Sequence, residues 1–213
     1  MIRSELQYGV AAERPLEWAA EQSGEAALRG GAWGLLGALL ARPPDARMLG
    51  VLRTVQADAA GPGVLREAWA GLALAAAHAT AESVDDEYHD LFIGLGRGEV
   101  VPYGSWYLTG LLMEKPLAAL RADLARLGIT RARGVCEPED HAGALCETMA
   151  LLVEDPAVTA ERERGFFEAH VEPWLGRFFQ DLCRAPSARF YASVGVLGQR
   201  FVELEQRWFS LLA

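Results

Sequence analysis

The C-terminal stretch FYASVGVLGQRFVELEQRWFSL, residues 190–211, carries the helical pattern that decides the fold class. Its large apolar residues follow one another at steps of four and three, which places them on one stripe of a helix. The stripe consists of Phe190, Val194, Leu197, Phe201, Leu204, Trp208 and Leu211. We expect Ser187 to cap this helix after Pro186 and the stripe to pack into a core, although a dimer seam uses the same spacing.

The composition favours helices in the whole chain. Of its 213 residues, 51% are hydrophobic and 23% are charged, which is the balance of a globular protein. Isoleucine occurs at only three positions, whereas alanine and leucine are abundant, and this bias points to helices rather than strands. We therefore predict an all-α protein with one domain over residues 1–213 and about 9–11 helices, with residues 1–24 as an N-terminal extension.

The other helices are predicted from periodicity and from the residues at their ends. The predicted helices are 25–41, 45–59, 63–81, 84–93 with Ser83 as its cap, one opened by Ser105, one from Pro116 to Gly128, and, after a linker at 129–136, three that start near Pro138, Pro156 and Pro173. The glycine-rich stretch IGLGRGEVVPYGS, residues 93–105, is the longest break in the pattern. It suggests a hinge near residues 93–104 between two lobes, which would permit opening or a domain-swapped homodimer.

Charge and cysteine usage exclude several classes of protein. The net charge is −9, and an acidic surface repels nucleic acid and anionic membranes. The three cysteines, Cys136, Cys146 and Cys183, contain no C-x-x-C pair, which argues against a disulfide framework or a zinc site. The start of the chain is unlike a signal peptide, and no apolar run approaches the ~20 residues that span a bilayer. We expect a cytoplasmic protein without stable membrane insertion.

The first segment that could carry function is VDDEYHDLFIGLGRGEVVPYGSWYLTG, residues 84–110. On a helix, Tyr88, Leu91 and Phe92 share one face. An amphipathic helix with a solvated acidic side would explain this part without any function. It does not explain the aromatic group that follows, which consists of Tyr103, Trp106 and Tyr107. Rings with a polar tip are favoured at partner surfaces. The glycines are not a phosphate loop, because the G-K-[ST] ending is missing.

The second segment is CEPEDHAGALCETMALL, residues 136–152. With Glu137 as N-cap and Pro138 as first helical residue, its acids would lie in the first turn, where the helix dipole stabilises them. His141 could be a buried, hydrogen-bonded imidazole. A metal-dependent hydrolase that uses His89, Glu137, Asp140 and His141 is one alternative, although no recognised ligand spacing or G-x-S-x-G motif occurs. A structural assembly subunit is another.

Together the two segments resemble the TorD/DmsD family of redox-enzyme maturation chaperones. The matching pieces are Glu87-Tyr88-x-x-Leu91-Phe92-x-Gly94, Pro102-Tyr103-x-Ser105-x-Tyr107, and Glu137-Pro138-x-Asp140-His141 with Glu147. The chain departs from many relatives in having Val101 before Pro102 where they have a second proline, and from some in having Tyr88 where they have tryptophan. The resemblance extends at lower specificity from about residue 25 to the C-terminus.

The resemblance implies an all-α chaperone without enzymatic activity or a cofactor of its own. Its partner would be the twin-arginine signal peptide and catalytic subunit of a molybdenum-cofactor oxidoreductase. The expected peptide-binding residues are Tyr88, Leu91, Phe92, Pro102, Tyr103, Ser105, Trp106, Tyr107, Glu137, Asp140 and His141, with no catalytic and no metal-binding residue. Asp140, with Glu137 or Glu139, would receive the two guanidinium groups, and His141 would orient Asp140 or contact the peptide backbone.

Overall fold

Helices dominate the part of the chain that this computed structural model describes, residues 6–8, 24–55 and 63–212. The elements are β1 (Leu6–Tyr8), α1 (Glu25–Ala41), α2 (Ala46–Arg53), α3 (Gly63–His78), α4 (Ala81–Tyr88), α5 (Gly104–Thr109), α6 (Lys115–Leu127), β2 (Ile129–Arg131), α7 (Ala142–Glu154), α8 (Ala160–Phe166), α9 (Leu175–Arg184) and α10 (Phe190–Leu211). π-Helical turns at His89–Ile93 and Phe167–Val171 extend α4 and α8. The all-α prediction is confirmed.

The chain divides into two compact units, each assembled from two separate segments. The first unit comprises residues 1–41 and 103–174, and the second comprises residues 42–102 and 175–213. The change from the second unit to the first at residues 102–103 lies inside the predicted hinge segment. Among the described residues, no helix has the length and apolar character that crossing a membrane requires.

The core of the first unit is formed by α1 and α7, which pack closely along their length. Residues 142–150 of α7 are all buried, as expected of a helix that is apolar on nearly every side. A Cβ atom on Gly37 would lie 2.7 Å from the Glu147 side chain and 3.1 Å from its backbone nitrogen. A larger residue would therefore push the two helices apart. Trp33 is fully buried and meets Phe167 edge-on, with ring centroids 6.4 Å apart.

The core of the second unit forms around α10, whose apolar stripe was predicted from the sequence. Phe190, Val194, Leu197 and Phe201 are buried as expected. Towards the C-terminus the buried positions move to Val202, Glu205 and Phe209, whereas Leu204 and Trp208 are half-buried and Leu211 is 84% exposed. A Cβ atom on Gly198 would lie 2.3 Å from the Phe179 ring, so α9 and α10 are in close contact at this point.

The first turn of α10 is capped by a distant carboxylate. Glu87, at the end of α4, is buried and accepts hydrogen bonds from the backbone N–H groups of Arg189, Phe190 and Tyr191 at 2.8, 3.1 and 2.7 Å. Negative charge is stabilised at a helix N-terminus, where these N–H groups have no partner within the helix. Ser187 was predicted as this cap, but it donates to Glu99 through its N–H and hydroxyl groups instead.

Several other predicted helix starts are also wrong, because the backbone N–H groups of the first turn bind acceptors other than the predicted cap residue. α4 begins before Ser83, because Thr80 is the cap and Ser83 completes the capping box from the third position. Tyr103, not Ser105, occupies the cap position of α5. The starts predicted near Pro138 and Pro156 fall later: α7 is capped by His141 and α8 by Thr159. The acids at 137, 139 and 140 therefore precede α7 instead of lying in its first turn.

The remaining predicted bounds agree with the structure in part. The helix at 25–41 and the helix from Pro116 to Gly128 are confirmed, the latter beginning one residue early at Lys115. The predicted helix 45–59 ends at Arg53, and its residues 56–59 lie outside the described residues; the helix predicted over 63–81 ends at His78. Pro173 lies just before α9. The linker predicted at 129–136 contains β2, which pairs in parallel with β1 through Leu6–Ile129, Gln7–Thr130 and Tyr8–Arg131.

The cap on α10 gives the first testable prediction. We expect Glu87→Gln to lower the free energy of unfolding by about 2 kcal/mol, because the amide removes the charge and its NH2 group replaces one of the two acceptor oxygens, leaving at least one of the three backbone N–H groups without an acceptor. Urea denaturation followed by circular dichroism measures the difference. Asp86→Asn, an exposed carboxylate on the same helix, is the matched control. Equal stability of the two variants would contradict the role assigned to Glu87.

Candidate functional site

The N-terminal end of α5 is fixed to the segment before α7. The Asp140 carboxylate accepts hydrogen bonds from the Ser105 N–H at 2.8 Å and from the Ser105 hydroxyl, both through Oδ2. The Asp140 carbonyl accepts the Gly104 N–H at 2.9 Å. α5 has only six residues, so most of its N–H groups lie within the unsatisfied first turn. Asp140, 4% exposed, supplies the missing acceptors from 35 residues away in the chain.

His141 lies next to this junction and caps α7. Its Nδ1 accepts the Gly143 N–H at 3.1 Å, so the neutral ring carries its proton on Nε2. Tyr103 and His141 form an isolated antiparallel bridge, and their rings meet edge-on with centroids 5.3 Å apart. Burial lowers the pKa of His141 to about 4, although the charges of Glu137 and Asp140 act in the opposite direction. The imidazole is therefore neutral at physiological pH.

The three carboxylates of the segment have different surroundings. Glu139 forms an ion pair with Arg121 at 2.7 Å; burial raises its pKa, but the hydrogen bond and charge of Arg121 outweigh burial and hold the pKa below its usual value. Asp140 is buried against Ser105. Glu137 is exposed and accepts the Tyr103 hydroxyl, while its carbonyl accepts Arg131 Nη1 at 3.2 Å. Together these three carboxylates and the guanidinium groups of Arg121 and Arg131 carry one net negative charge.

Three partly exposed aromatic rings lie at the start of α5 and along it. Tyr103, Trp106 and Tyr107 are all half-buried. The ring of Tyr107 lies 5.5 Å from that of the buried Trp174, whose Nε1–H donates to the His170 carbonyl at 2.8 Å. One side of Tyr107 is thus supported by a fixed ring. The site in the first unit therefore combines an exposed carboxylate with half-buried aromatic rings that have polar tips.

The predicted site residues are distributed over both units. The first unit brings together Tyr103, Ser105, Glu137, Asp140 and His141, with Trp106 and Tyr107 further along α5. The second unit contains Tyr88, Leu91, Phe92 and Pro102.

Within the second unit, the rings of Tyr88 and Phe92 are adjacent, with centroids 4.9 Å apart. Both rings also contact Tyr191, at 5.8 and 5.5 Å. Leu91 and Pro102 are buried. Sequence reasoning missed Tyr191, and also Gly104 and Arg121 in the first unit. The position of Tyr191 beside Phe190 at the start of the apolar stripe was the available signal for the first of these.

The geometry does not favour the hydrolase alternative. His89 belongs to the second unit, where it is exposed and its Nδ1 lies 3.2 Å from the Asp85 carbonyl. His141 Nδ1 and Asp140 Oδ2 are occupied by backbone and hydroxyl donors. Among the residues that the structure describes, no group of three His, Cys, Asp or Glu side chains is placed to hold a metal ion.

The low pKa of His141 predicts how stability depends on pH. The imidazole has a pKa of about 4 when folded and 6.5 when free, so between these values the unfolded chain binds more protons. Its contribution, about 3 kcal/mol at most, is present above pH 6.5 and is lost as the pH falls towards 4. His141→Asn keeps a capping acceptor that does not titrate. Urea denaturation measures the free energy of unfolding from pH 7 to 4, and this free energy should fall less steeply with falling pH for the variant. An equally steep fall for the two chains would contradict the low pKa assigned to His141.

Comparison with known proteins agrees with the helical fold and with the motifs. A family model described as nitrate reductase delta subunit matches residues 58–180. A Haemophilus influenzae protein named Probable Tat proofreading chaperone DmsD is 27% identical over 129 residues, which are 60% of this chain and 61% of that protein. The chaperone protein TorD of Vibrio cholerae is 25% identical over 130 residues, 56% of this chain and 59% of that protein. Each match thus spans less than two thirds of the relative's length.

A solved structure from Archaeoglobus fulgidus, provisionally described as a redox enzyme maturation protein, has the same fold. Its TM-score is 0.57 at 20% sequence identity, over 85% of this chain and 96% of that one. The family match covers more than half of the chain. The predicted resemblance to the TorD and DmsD chaperones is therefore confirmed, and the chain belongs to the nitrate reductase delta subunit family.

Proposed function

We propose that this protein is a cytoplasmic chaperone without enzymatic activity, which binds the twin-arginine signal peptide of a molybdenum-cofactor oxidoreductase and assists its maturation before export. Both units would belong to one chaperone domain, residues 1–213. The observation that carries the proposal is the exposed Glu137 carboxylate bound to the half-buried Tyr103, with two more half-buried aromatic rings, Trp106 and Tyr107, further along α5. The names of the relatives, which are TorD and DmsD chaperones, support the same class of function.

Glu137 is the carboxylate best suited to receive an arginine of the peptide. It is exposed, and the Tyr103 hydroxyl holds it in place through Oε2. The other carboxylate oxygen accepts no hydrogen bond from the residues that the structure describes. A guanidinium group gains most from a carboxylate whose geometry is already fixed, because less side-chain entropy is lost on binding. Glu139 is less suitable, since Arg121 already neutralises it.

Asp140 and His141 would act mainly by shaping the site. Asp140 Oδ2 already accepts two hydrogen bonds from Ser105. The Asp140 carboxylate would therefore act on the arginines mainly by long-range electrostatic attraction, and only its Oδ1 atom could accept a hydrogen bond from the peptide. His141 stays neutral and adds no repulsion towards arginine. Asp140→Ala would weaken peptide binding and also release α5. That variant is consequently a poorer first test than a change at Glu137.

The apolar part of the signal peptide would contact aromatic and aliphatic side chains. Tyr103, Trp106 and Tyr107 are half-buried and can lose their remaining exposure to a partner. The assignment of Tyr88, Leu91, Phe92 and Pro102 to peptide binding stays a prediction. Of these four residues, Tyr88 and Phe92 are half-buried and could contact the peptide with the exposed part of their rings. Leu91 and Pro102 are buried and would support the side chains that contact the peptide.

A change at Glu137 tests the proposal directly. We expect Glu137→Gln to weaken the affinity for a synthetic twin-arginine signal peptide by about tenfold, because the charge-assisted hydrogen bond is lost. Isothermal titration calorimetry measures the affinity, and circular dichroism checks that helix content is unchanged. The loss should disappear for a peptide with two glutamines in place of the arginines.

Glu161→Gln is the matched control, since Glu161 is another exposed carboxylate of the first unit. It should leave the affinity unchanged. Undiminished binding by Glu137→Gln would remove Glu137 from the site. Equal affinity of the unchanged chain for the twin-arginine and twin-glutamine peptides would refute the proposed function.

A further inference from the structure

An exposed apolar segment begins in the last turn of α5 and continues beyond it. It comprises residues 108–113 and is called the leucine turn below. Four of its side chains face solvent: Leu108 is 40% exposed, Leu111 61%, Leu112 51% and Met113 73%. In the described part of the chain, other large exposed apolar residues occur singly or in pairs along the sequence. Isolated ones are normal on a protein surface, whereas a contiguous group marks an interaction site.

The leucine turn is held in a defined conformation. Gly110 ends α5 in the left-handed region with φ 79°. The Leu111 N–H donates to the Thr109 hydroxyl at 3.2 Å, and that hydroxyl donates to the Ser105 carbonyl at 2.8 Å. Met113 has φ 59°, which is uncommon for a residue other than glycine. The local hydrogen bonds therefore tie this apolar surface to α5.

The same short helix joins the leucine turn to the junction with Asp140, beside which Tyr103 donates to Glu137. The N-terminal end of α5 is bonded to Asp140, and its C-terminal end leads into the leucine turn. Six helical residues span about 9 Å, a length that about three residues of an extended peptide cover. The connecting sequence YGSWYLTGLLM, residues 103–113, has no charged residue. In the order of the chain, Tyr103, which donates to Glu137, comes first, the rings of Trp106 and Tyr107 follow, and the leucine turn comes last.

We propose that the leucine turn receives the apolar stretch of the signal peptide whose arginines bind at Glu137, so that the peptide runs from the N-terminal to the C-terminal end of α5. This inference rests on the proposed function. A twin-arginine signal has its charged pair followed by an apolar stretch, which is the order of surfaces along α5. Burial of the exposed leucines supplies affinity, and the carboxylate at one end fixes the direction of the peptide.

The test uses the full chain with Leu111→Ser and Leu112→Ser combined. Calorimetry with a synthetic twin-arginine signal peptide should give about tenfold weaker binding than for the unchanged chain. A second peptide carries serines in place of the leucines of its apolar stretch. The unchanged chain and the variant should bind this peptide with equal affinity, because the contact between the two sets of leucines is already absent. Leu74→Ser is the matched control, because Leu74 is 62% exposed on α3 in the second unit. It should leave the affinity unchanged.

The outcomes separate the inference from the function on which it rests. If the unchanged chain binds the twin-arginine peptide and the leucine variant binds it equally well, the leucine turn has no role and the proposed function stands. If the variant's loss of affinity disappears when the arginines of the peptide are replaced, but persists when its leucines are replaced, the proposed direction of the peptide is wrong. If the unchanged chain does not distinguish twin-arginine from twin-glutamine peptides, both proposals fail.

Discussion

The hydrogen bonds between Asp140 and the first turn of α5 are the constraint on which the candidate site depends. They join two segments that lie 35 residues apart in the chain, and they satisfy N–H groups that a helix of six residues cannot satisfy internally. The same junction sets the positions of Tyr103 and His141, which form the adjoining bridge. The start of α7, capped by His141, and the start of α5 are thereby fixed to each other within the first unit.

This arrangement distributes the acidic residues among different tasks. Asp140 holds α5, Glu139 is neutralised by Arg121, and Glu137 remains exposed and oriented by a tyrosine hydroxyl. Counting acidic residues in the sequence would make all three equivalent candidates for binding arginine. Burial and pairing make Glu137 the accessible one. The neutral His141 keeps the local charge negative at physiological pH, which favours a cationic peptide.

Periodicity predicted the interiors of the helices, because the spacing of apolar residues reflects which face packs into a core. The helix ends were harder to predict, since their caps come from distant side chains. Glu87 caps α10 and Asp140 caps α5, so the local signals at Ser187 and Ser105 were misleading. β2 was missed because three residues carry too little pattern. The residues that meet in the first unit were found through the motifs, whereas the leucine turn could be identified only from the exposed fractions of its side chains in the folded chain.

The most direct test of the central claim is capture of the client from the native cell. The full chain, carrying an affinity tag, would be isolated in parallel from cells in which a molybdoenzyme catalytic subunit has or lacks its twin-arginine signal peptide, and mass spectrometry would quantify the bound subunit. The account predicts recovery of the subunit that retains the signal peptide and strong loss when it is removed. Equal recovery in both cases, or no molybdoenzyme subunit in either, would contradict it.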